Sequence, residues 1–131
     1  MYGYTCNDAY TYRQPMPKVQ VTKEFRFEAA HFLPDHAGVC AHLHGHSYVL
    51  EVTVGGPVGS DGMVVDFADL GAVVRGLVVD DLDHTLLNDR WENPTAERAA
   101  LAIWEILEKR LPTLASLTLR ETASNRVTVT A

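Results

Sequence analysis

The chain has 131 residues and a formal charge of −6 at neutral pH, enough for one hydrophobic core and one domain. No apolar run approaches the roughly 20 residues of a membrane span, and no basic run offers the clustered Lys and Arg that nucleic acid requires. Two cysteines, Cys6 and Cys40, make no disulfide framework, and an anionic ligand would need a local positive site, such as a metal ion, on so acidic a chain.

Residues 1–17 are polar, tyrosine-bearing and proline-containing, without the apolar centre of a signal peptide. They read as a flexible extension in which Cys6 is an exposed thiol, ahead of a domain over 18–131, and a cytoplasmic location is expected. From Lys18 to His31 the chain alternates: Val19, Val21, Phe25, Phe27, Ala29 and His31 share one parity, and polar residues take the other. That is a half-buried strand with His31 on its apolar side. A loop holding Pro34, Gly38 and Cys40 follows, and a second strand runs from His44 to Val54, where His44, His46, Tyr48, Leu50, Val52 and Val54 share a face.

Gly55, Gly56, Pro57 and Gly59 end that strand. Asp66 then caps a helix with Phe67, Leu70, Val73, Val74 and Leu77 on one stripe, weakened by Gly71 and Gly76. Residues 80–91 read as an irregular connection. Asn93 and Pro94 suit the cap and first turn of a second helix, whose stripe is Ala96, Ala99, Ala100, Ile103, Leu107 and Leu111, with Pro112 as its stop. Strands over 116–122 and 125–130 complete a β-β-α-α-β-β order. An α+β fold follows, with an antiparallel four-stranded sheet and both helices on one face.

Five of the six histidines lie between positions 31 and 46. His44 and His46, two apart on a strand, send both imidazoles from one face, and His31 at the end of the neighbouring strand can supply a third. Three histidines leave one tetrahedral position of a zinc ion open, the pattern of a catalytic rather than a structural site. The competing reading is a His-rich loop without metal; His36 and His42 share no strand parity with the three and stay outside the set.

Cys40 is open to three readings. It is a further zinc ligand, a small buried hydrophobe, or a thiol whose pKa a nearby metal lowers so that it serves as base or nucleophile. Asp83 and His84 are either an activating carboxylate–imidazole pair or a loop anchor, since adjacent side chains do not readily bond to each other. Glu121 shares parity with Leu117 and Leu119, and a carboxylate on that apolar side needs a partner. The partner is a structural arginine, or a ligand edge offering two parallel N–H donors.

Taken in order, these stretches resemble the 6-carboxytetrahydropterin synthases and the related 6-pyruvoyltetrahydropterin synthases. The matching residues are Phe27-Glu28-Ala29-Ala30-His31, Cys40 with His44-Gly45-His46, and Gly62-Met63-Val64-Val65-Asp66-Phe67. Leu82-Asp83-His84 with Leu87-Asn88, Asn93-Pro94-Thr95-Ala96-Glu97, and Glu121-Thr122 complete the set. The resemblance covers roughly Val19 to Val129 and implies the tunnelling fold, in which subunits join their sheets into a barrel with active sites between subunits. It further implies a homo-oligomer, with a hexamer built as a dimer of trimers.

The same resemblance implies zinc on His31, His44 and His46, Cys40 as the proton-abstracting thiol supported by Asp83 and His84, and Glu121, assisted by Thr122, as the anchor of the pterin edge. The three residues between Cys40 and His44 match the carboxy-forming enzymes. They imply conversion of 7,8-dihydroneopterin triphosphate to 6-carboxy-5,6,7,8-tetrahydropterin, with release of acetaldehyde and triphosphate, on the way to 7-deazaguanine compounds such as queuosine.

Two features depart from the family pattern. The extension has no family counterpart, and the stretch Ala123-Ser124-Asn125-Arg126 lacks the glycine turn of many relatives. Lys23, Arg90 and Arg98 are the basic residues open for the triphosphate. The rival functions are pyruvoyl formation or aldol cleavage on the same site, and a non-catalytic zinc-stabilised binding module.

Overall fold

The computed structural model describes residues 17–131; apart from Pro17, the extension read over 1–17 lies outside the described residues. Strands β1 (Val19–His31) and β2 (His44–Gly56) form a long antiparallel hairpin. Its register runs from Val19 opposite Gly56 to His31 opposite His44. Strand β4 (Leu114–Arg120) pairs with β2, and β5 (Arg126–Thr130) with β4, both antiparallel.

A fifth strand corrects the expected count. Strand β3 (Thr85–Leu86) lies parallel to the end of β1, so the sheet is mixed, in the order β3-β1-β2-β4-β5. Two residues are too few to leave a periodic signal. The backbone bond from His84 N–H to the Glu28 carbonyl draws them in.

The alternation read from the sequence decides which sheet face is covered. Phe25, Phe27, Ala29, Tyr48, Leu50, Val52, Leu117 and Leu119 are buried in one cluster with residues of both helices. Helix α1 (Phe67–Val74) starts on Asp66, whose carboxylate accepts the Ala68 N–H at 2.7 Å. It continues through a π-helical turn (Arg75–Val79) into a last α-turn (Asp80–Leu82), so part of the expected irregular connection is helical. The π turn keeps the buried stripe on the sheet as Leu70, Val74, Val78, Val79 and Leu82. Phe67, expected on that stripe, is 53% exposed because burial begins only at Leu70. Gly71 gives room to long side chains: a Cβ there would meet Arg75 Nη1 at 2.8 Å and Lys23 Cε at 3.0 Å.

Helix α2 (Ala96–Glu108) buries Ala99, Ala100, Ile103 and Leu107. Its cap is Thr95, whose hydroxyl accepts the Arg98 N–H at 3.2 Å, and not Asn93 as the sequence suggested. The start is displaced because Asn93 and Pro94 serve other parts of the fold: the Asn93 carbonyl accepts Thr95 N–H, and the Pro94 carbonyl faces a histidine of β1. Burial of side chains such as Leu50 and Ile103 contributes about 1.5–3 kcal/mol each. The sheet that carries the histidines is therefore anchored through its packed face.

Candidate active site

The hairpin register sets the site. His31 lies opposite His44, and Ala29 opposite His46, so three imidazoles gather where β1 and β2 meet the sheet end. Ring centroids are 4.6 Å apart for His31 and His44, 5.0 Å for His31 and His46, and 4.9 Å for His44 and His46. Their ligand atoms all lie within 4.8 Å of one another, and among the described residues no other such group of His, Cys, Asp and Glu converges.

The outer nitrogens fix which inner ones are free. His31 is buried, and its Nδ1–H donates to the Pro94 carbonyl at 2.8 Å. His44 Nδ1–H donates to the His42 carbonyl at 2.6 Å. A carbonyl only accepts, so each neutral ring keeps a lone pair on Nε2, and these two nitrogens face each other at 3.0 Å. Two lone pairs at that distance repel unless a cation lies between them. Two nitrogens on a tetrahedral zinc, each about 2.0–2.1 Å from it, would stand roughly 3.3 Å apart. The donor set therefore fits zinc, with carbonyl contacts behind two ligands that orient them. Burial holds His46 below the ordinary histidine pKa, against the Glu121 carboxylate and with help from His31 and His44. That shift favours the neutral imidazole that metal binding requires.

Glu121, expected inside the strand over 116–122, lies one position past the end of β4, which stops at Arg120; it still reaches the cluster, its Oε1 3.8 Å from His31 Nε2. No arginine pairs with it among the described ion pairs, so the structural-arginine reading fails. Burial, reinforced by the Glu121 carboxylate, pushes the Tyr48 phenol pKa well up. Tyr48 is thus a neutral hydroxyl, 3.3 Å from His31 Nδ1. Thr122 instead closes the β4–β5 turn, its Oγ1 accepting the Asn125 N–H at 3.1 Å.

Asp83 and His84 do bond to each other, against the expectation for neighbours: His84 Nδ1 is 3.0 Å from Asp83 Oδ2. Asp83 Oδ1 also accepts the Glu28 N–H at 2.8 Å. That backbone donor, together with the His84 contact, holds the Asp83 carboxyl below its ordinary pKa. Pair and anchor are one arrangement.

Two cavities flank His46. One of about 460 Å³ is lined by His84, Thr85, Leu86, Glu28, Ala29, Ala30, Gly45, His46 and Ser47. The other, about 420 Å³, is lined by Gly45, His46, Ser47, Val49, Arg26, Arg120, Glu121, Thr122 and Ala123. Both fall in the usual range for small-molecule sites. A Cβ on Gly45, which borders both, would make ordinary contact with the Ala29 carbonyl at 3.5 Å. Cys40 sits in a 3-10 turn (Val39–Ala41), partly exposed, and lines neither cavity of the single chain. It is also outside the group of converging ligands.

The family model for 6-pyruvoyl tetrahydropterin synthase matches residues 20–131. The chain belongs to that family. A 6-carboxy-5,6,7,8-tetrahydropterin synthase of Synechocystis is 44% identical over 113 residues, 80% of this chain and 88% of the relative. One of Haemophilus influenzae is 37% identical over 86 residues, which cover 63% of this chain and 61%, less than two thirds, of the relative's own length. A dihydroneopterin monophosphate aldolase of Pyrococcus furiosus is 42% identical over 95 residues, 72% of this chain and 80% of the relative. The solved 6-pyruvoyl tetrahydropterin synthase of Caenorhabditis elegans superposes with a TM-score of 0.80 at 30% identity, covering 91% of this chain and 99% of that one.

Three residues given no part in the site by the sequence reading support it in this family member. Asn88 clamps the backbone just past His31, accepting from Phe32 N–H at 2.9 Å and donating to its carbonyl at 2.8 Å. Pro94 and Tyr48 flank His31 as described. Asn88 and Pro94 sit in matched motifs, and Tyr48 continues the His44–His46 alternation; those were the only signals available.

Proposed function

We propose that the chain is a zinc-dependent 6-carboxytetrahydropterin synthase. It converts 7,8-dihydroneopterin triphosphate to 6-carboxy-5,6,7,8-tetrahydropterin with release of acetaldehyde and triphosphate, a step toward 7-deazaguanine compounds such as queuosine. The observation that carries the reading is the pair of facing Nε2 atoms of His31 and His44, with His46 beside them and a carboxylate 3.8 Å away. The names of several relatives support the same activity.

His31, His44 and His46 hold the zinc. Bound there, zinc supplies Lewis-acid polarisation of the substrate's side-chain oxygens. Glu121 receives the N–H edge of the pterin and fixes the ring so that its side chain meets the histidines, with Thr122 at the wall of the same cavity. Cys40 removes a side-chain proton, and the Asp83–His84 pair relays it. Because Cys40 lines neither cavity of its own chain, the reading includes a homo-oligomer, a hexamer in the family arrangement, in which one subunit brings Cys40 to its neighbour's His84. The exposed Val39 and Leu43 beside Cys40 suit such a contact. No helix among the described residues is long and apolar enough to cross a membrane, which accords with work in the cytoplasm.

The test is incubation of zinc-loaded protein with 7,8-dihydroneopterin triphosphate and mass analysis of the products. 6-Carboxytetrahydropterin with acetaldehyde is the expected result. A 6-hydroxymethyl product would place the chain with its aldolase relative instead.

A further inference from the structure

The face of the sheet opposite the helices carries a row that the strand register makes explicit. Arg26 on β1 lies opposite Val49 on β2, Val49 opposite Arg120 on β4, and Arg120 opposite Arg126 on β5. Directly opposed residues share a face, so three arginines cross four adjacent strands in one line. At about 4.8 Å per strand the line from Arg26 to Arg126 is roughly 14 Å long.

Two of these arginines share one carboxylate. Glu24 Oε2 is 3.4 Å from Arg26 Nη2, and Glu24 Oε1 is 3.2 Å from Arg120 Nη2. A single Glu fixes both head groups but leaves most of their N–H donors unused, and the buried Nε of Arg120 has no partner. Arg26 and Arg120 also line the cavity whose other walls include His46 and Glu121. The lining of that one cavity thus includes a histidine of the candidate metal cluster and a carboxylate as well as the paired guanidinium groups.

We propose that Arg26 and Arg120, with Arg126 beside them, form the subsite that holds the triphosphate of the substrate. The inference rests on the pterin triphosphate reading above and adds the residues that recognise the phosphate chain. Guanidinium groups grip phosphate oxygens with paired, charge-assisted bonds, and on a chain of net charge −6 a polyanion needs such a local positive site. The three basic residues left open by the sequence lie elsewhere. Lys23 packs its stem toward Gly71 of α1. Arg90 is bound to Asp81 at 2.6 Å, and with Arg98 it lines a separate cavity beside Trp91 and Leu101.

The experiment compares two non-reacting ligands, neopterin and neopterin triphosphate, by fluorescence titration of the zinc-loaded protein. In wild type the triphosphate should tighten binding at least 10-fold. In R26Q and R120Q that gain should fall at least 10-fold while the affinity for neopterin stays within 2-fold, and R126Q should lose less. R120K should recover part of the gain. R26Q alters a largely exposed side chain, so it remains informative if R120Q fails to fold.

A gain that persists unchanged in R26Q and R120Q overturns the proposal. So does a wild type that binds both ligands equally, while leaving the pterin reading intact. If neither ligand binds, the pterin reading itself fails and the subsite falls with it.

Discussion

His84 Nδ1 and Asp83 Oδ2 stand 3.0 Å apart although the two residues are neighbours in the chain. The backbone of His84 makes this geometry available, with a φ of 60° in the left-handed region. Holding a non-glycine residue there costs on the order of 1–3 kcal/mol. It is offset by hydrogen bonds on both sides, Glu28 N–H to Asp83 Oδ1 and His84 N–H to the Glu28 carbonyl. The strained pair is thereby tied to the strand that carries His31.

Asp83→Asn tests the charge of that pair without removing its bulk. Turnover should fall at least tenfold, an order-of-magnitude figure typical of a lost acid–base partner, with zinc content unchanged. The stability effect has a definite sign. The folded state keeps the Asp83 carboxyl below its ordinary value, so the unfolded chain binds that proton first as pH falls. The stabilisation is complete above about pH 4, near the ordinary aspartate pKa, and is lost as the pH drops through the lower folded-state value. Urea midpoints of wild type and variant should therefore differ at neutral pH and converge in acid. A gap independent of pH would mean that the charge contributes nothing.

How far the sequence carried this reading depended on periodicity. The alternation of Phe25, Phe27 and His31 and of His46, Tyr48 and Leu50 located the sheet face and the three histidines, because a half-buried strand has only one way to bury that pattern. Strand β3 and the π turn were not legible, being two and five residues long and held by tertiary contacts. The Asp83–His84 bond was invisible for a different reason: it needs a positive φ, and histidine, unlike glycine, does not signal one. The shared cap region at Asn93 and Pro94 misled because the Pro94 carbonyl bonds to His31, across 63 residues of chain.

Cys40→Ala should leave zinc stoichiometry and the thermal midpoint near wild type, since the thiol lies in a short surface turn outside the ligand group. Turnover should drop below detection. Full activity in this variant would remove the thiol from the chemistry.

Glu121→Gln keeps the shape of the proposed pterin anchor but removes its charge. A charged hydrogen bond is worth roughly 1.5–3 kcal/mol, so neopterin affinity should fall about 10- to 100-fold by fluorescence titration. An unchanged affinity would show that the pterin edge binds elsewhere.

Asn88→Ala removes both bonds to the Phe32 backbone, next to His31 of the candidate metal cluster. Loss of satisfied backbone partners costs about 1–3 kcal/mol, readable as a lower urea midpoint. Zinc affinity should weaken as well, because the end of β1 is no longer held; competition against a chromophoric chelator measures it. Asn88→Asp preserves the acceptor but not the donor and should fall between wild type and Ala.

Zinc removal separates a catalytic metal from a structural one. The core under the helices is built from apolar contacts among side chains such as Tyr48, Leu50, Ile103 and Leu117, all buried. His31 is held by the Pro94 carbonyl through Nδ1, on the far side of the ring from the Nε2 that faces the cluster. Dialysis against a chelator should therefore leave a cooperatively folded protein by circular dichroism, with a thermal midpoint lower by a few degrees and no turnover. Added zinc should restore both, the midpoint rising with metal concentration as mass action requires. Global unfolding on chelation would instead assign the ion to holding the fold together and favour the zinc-stabilised binding module, whose metal binding and folding are one event.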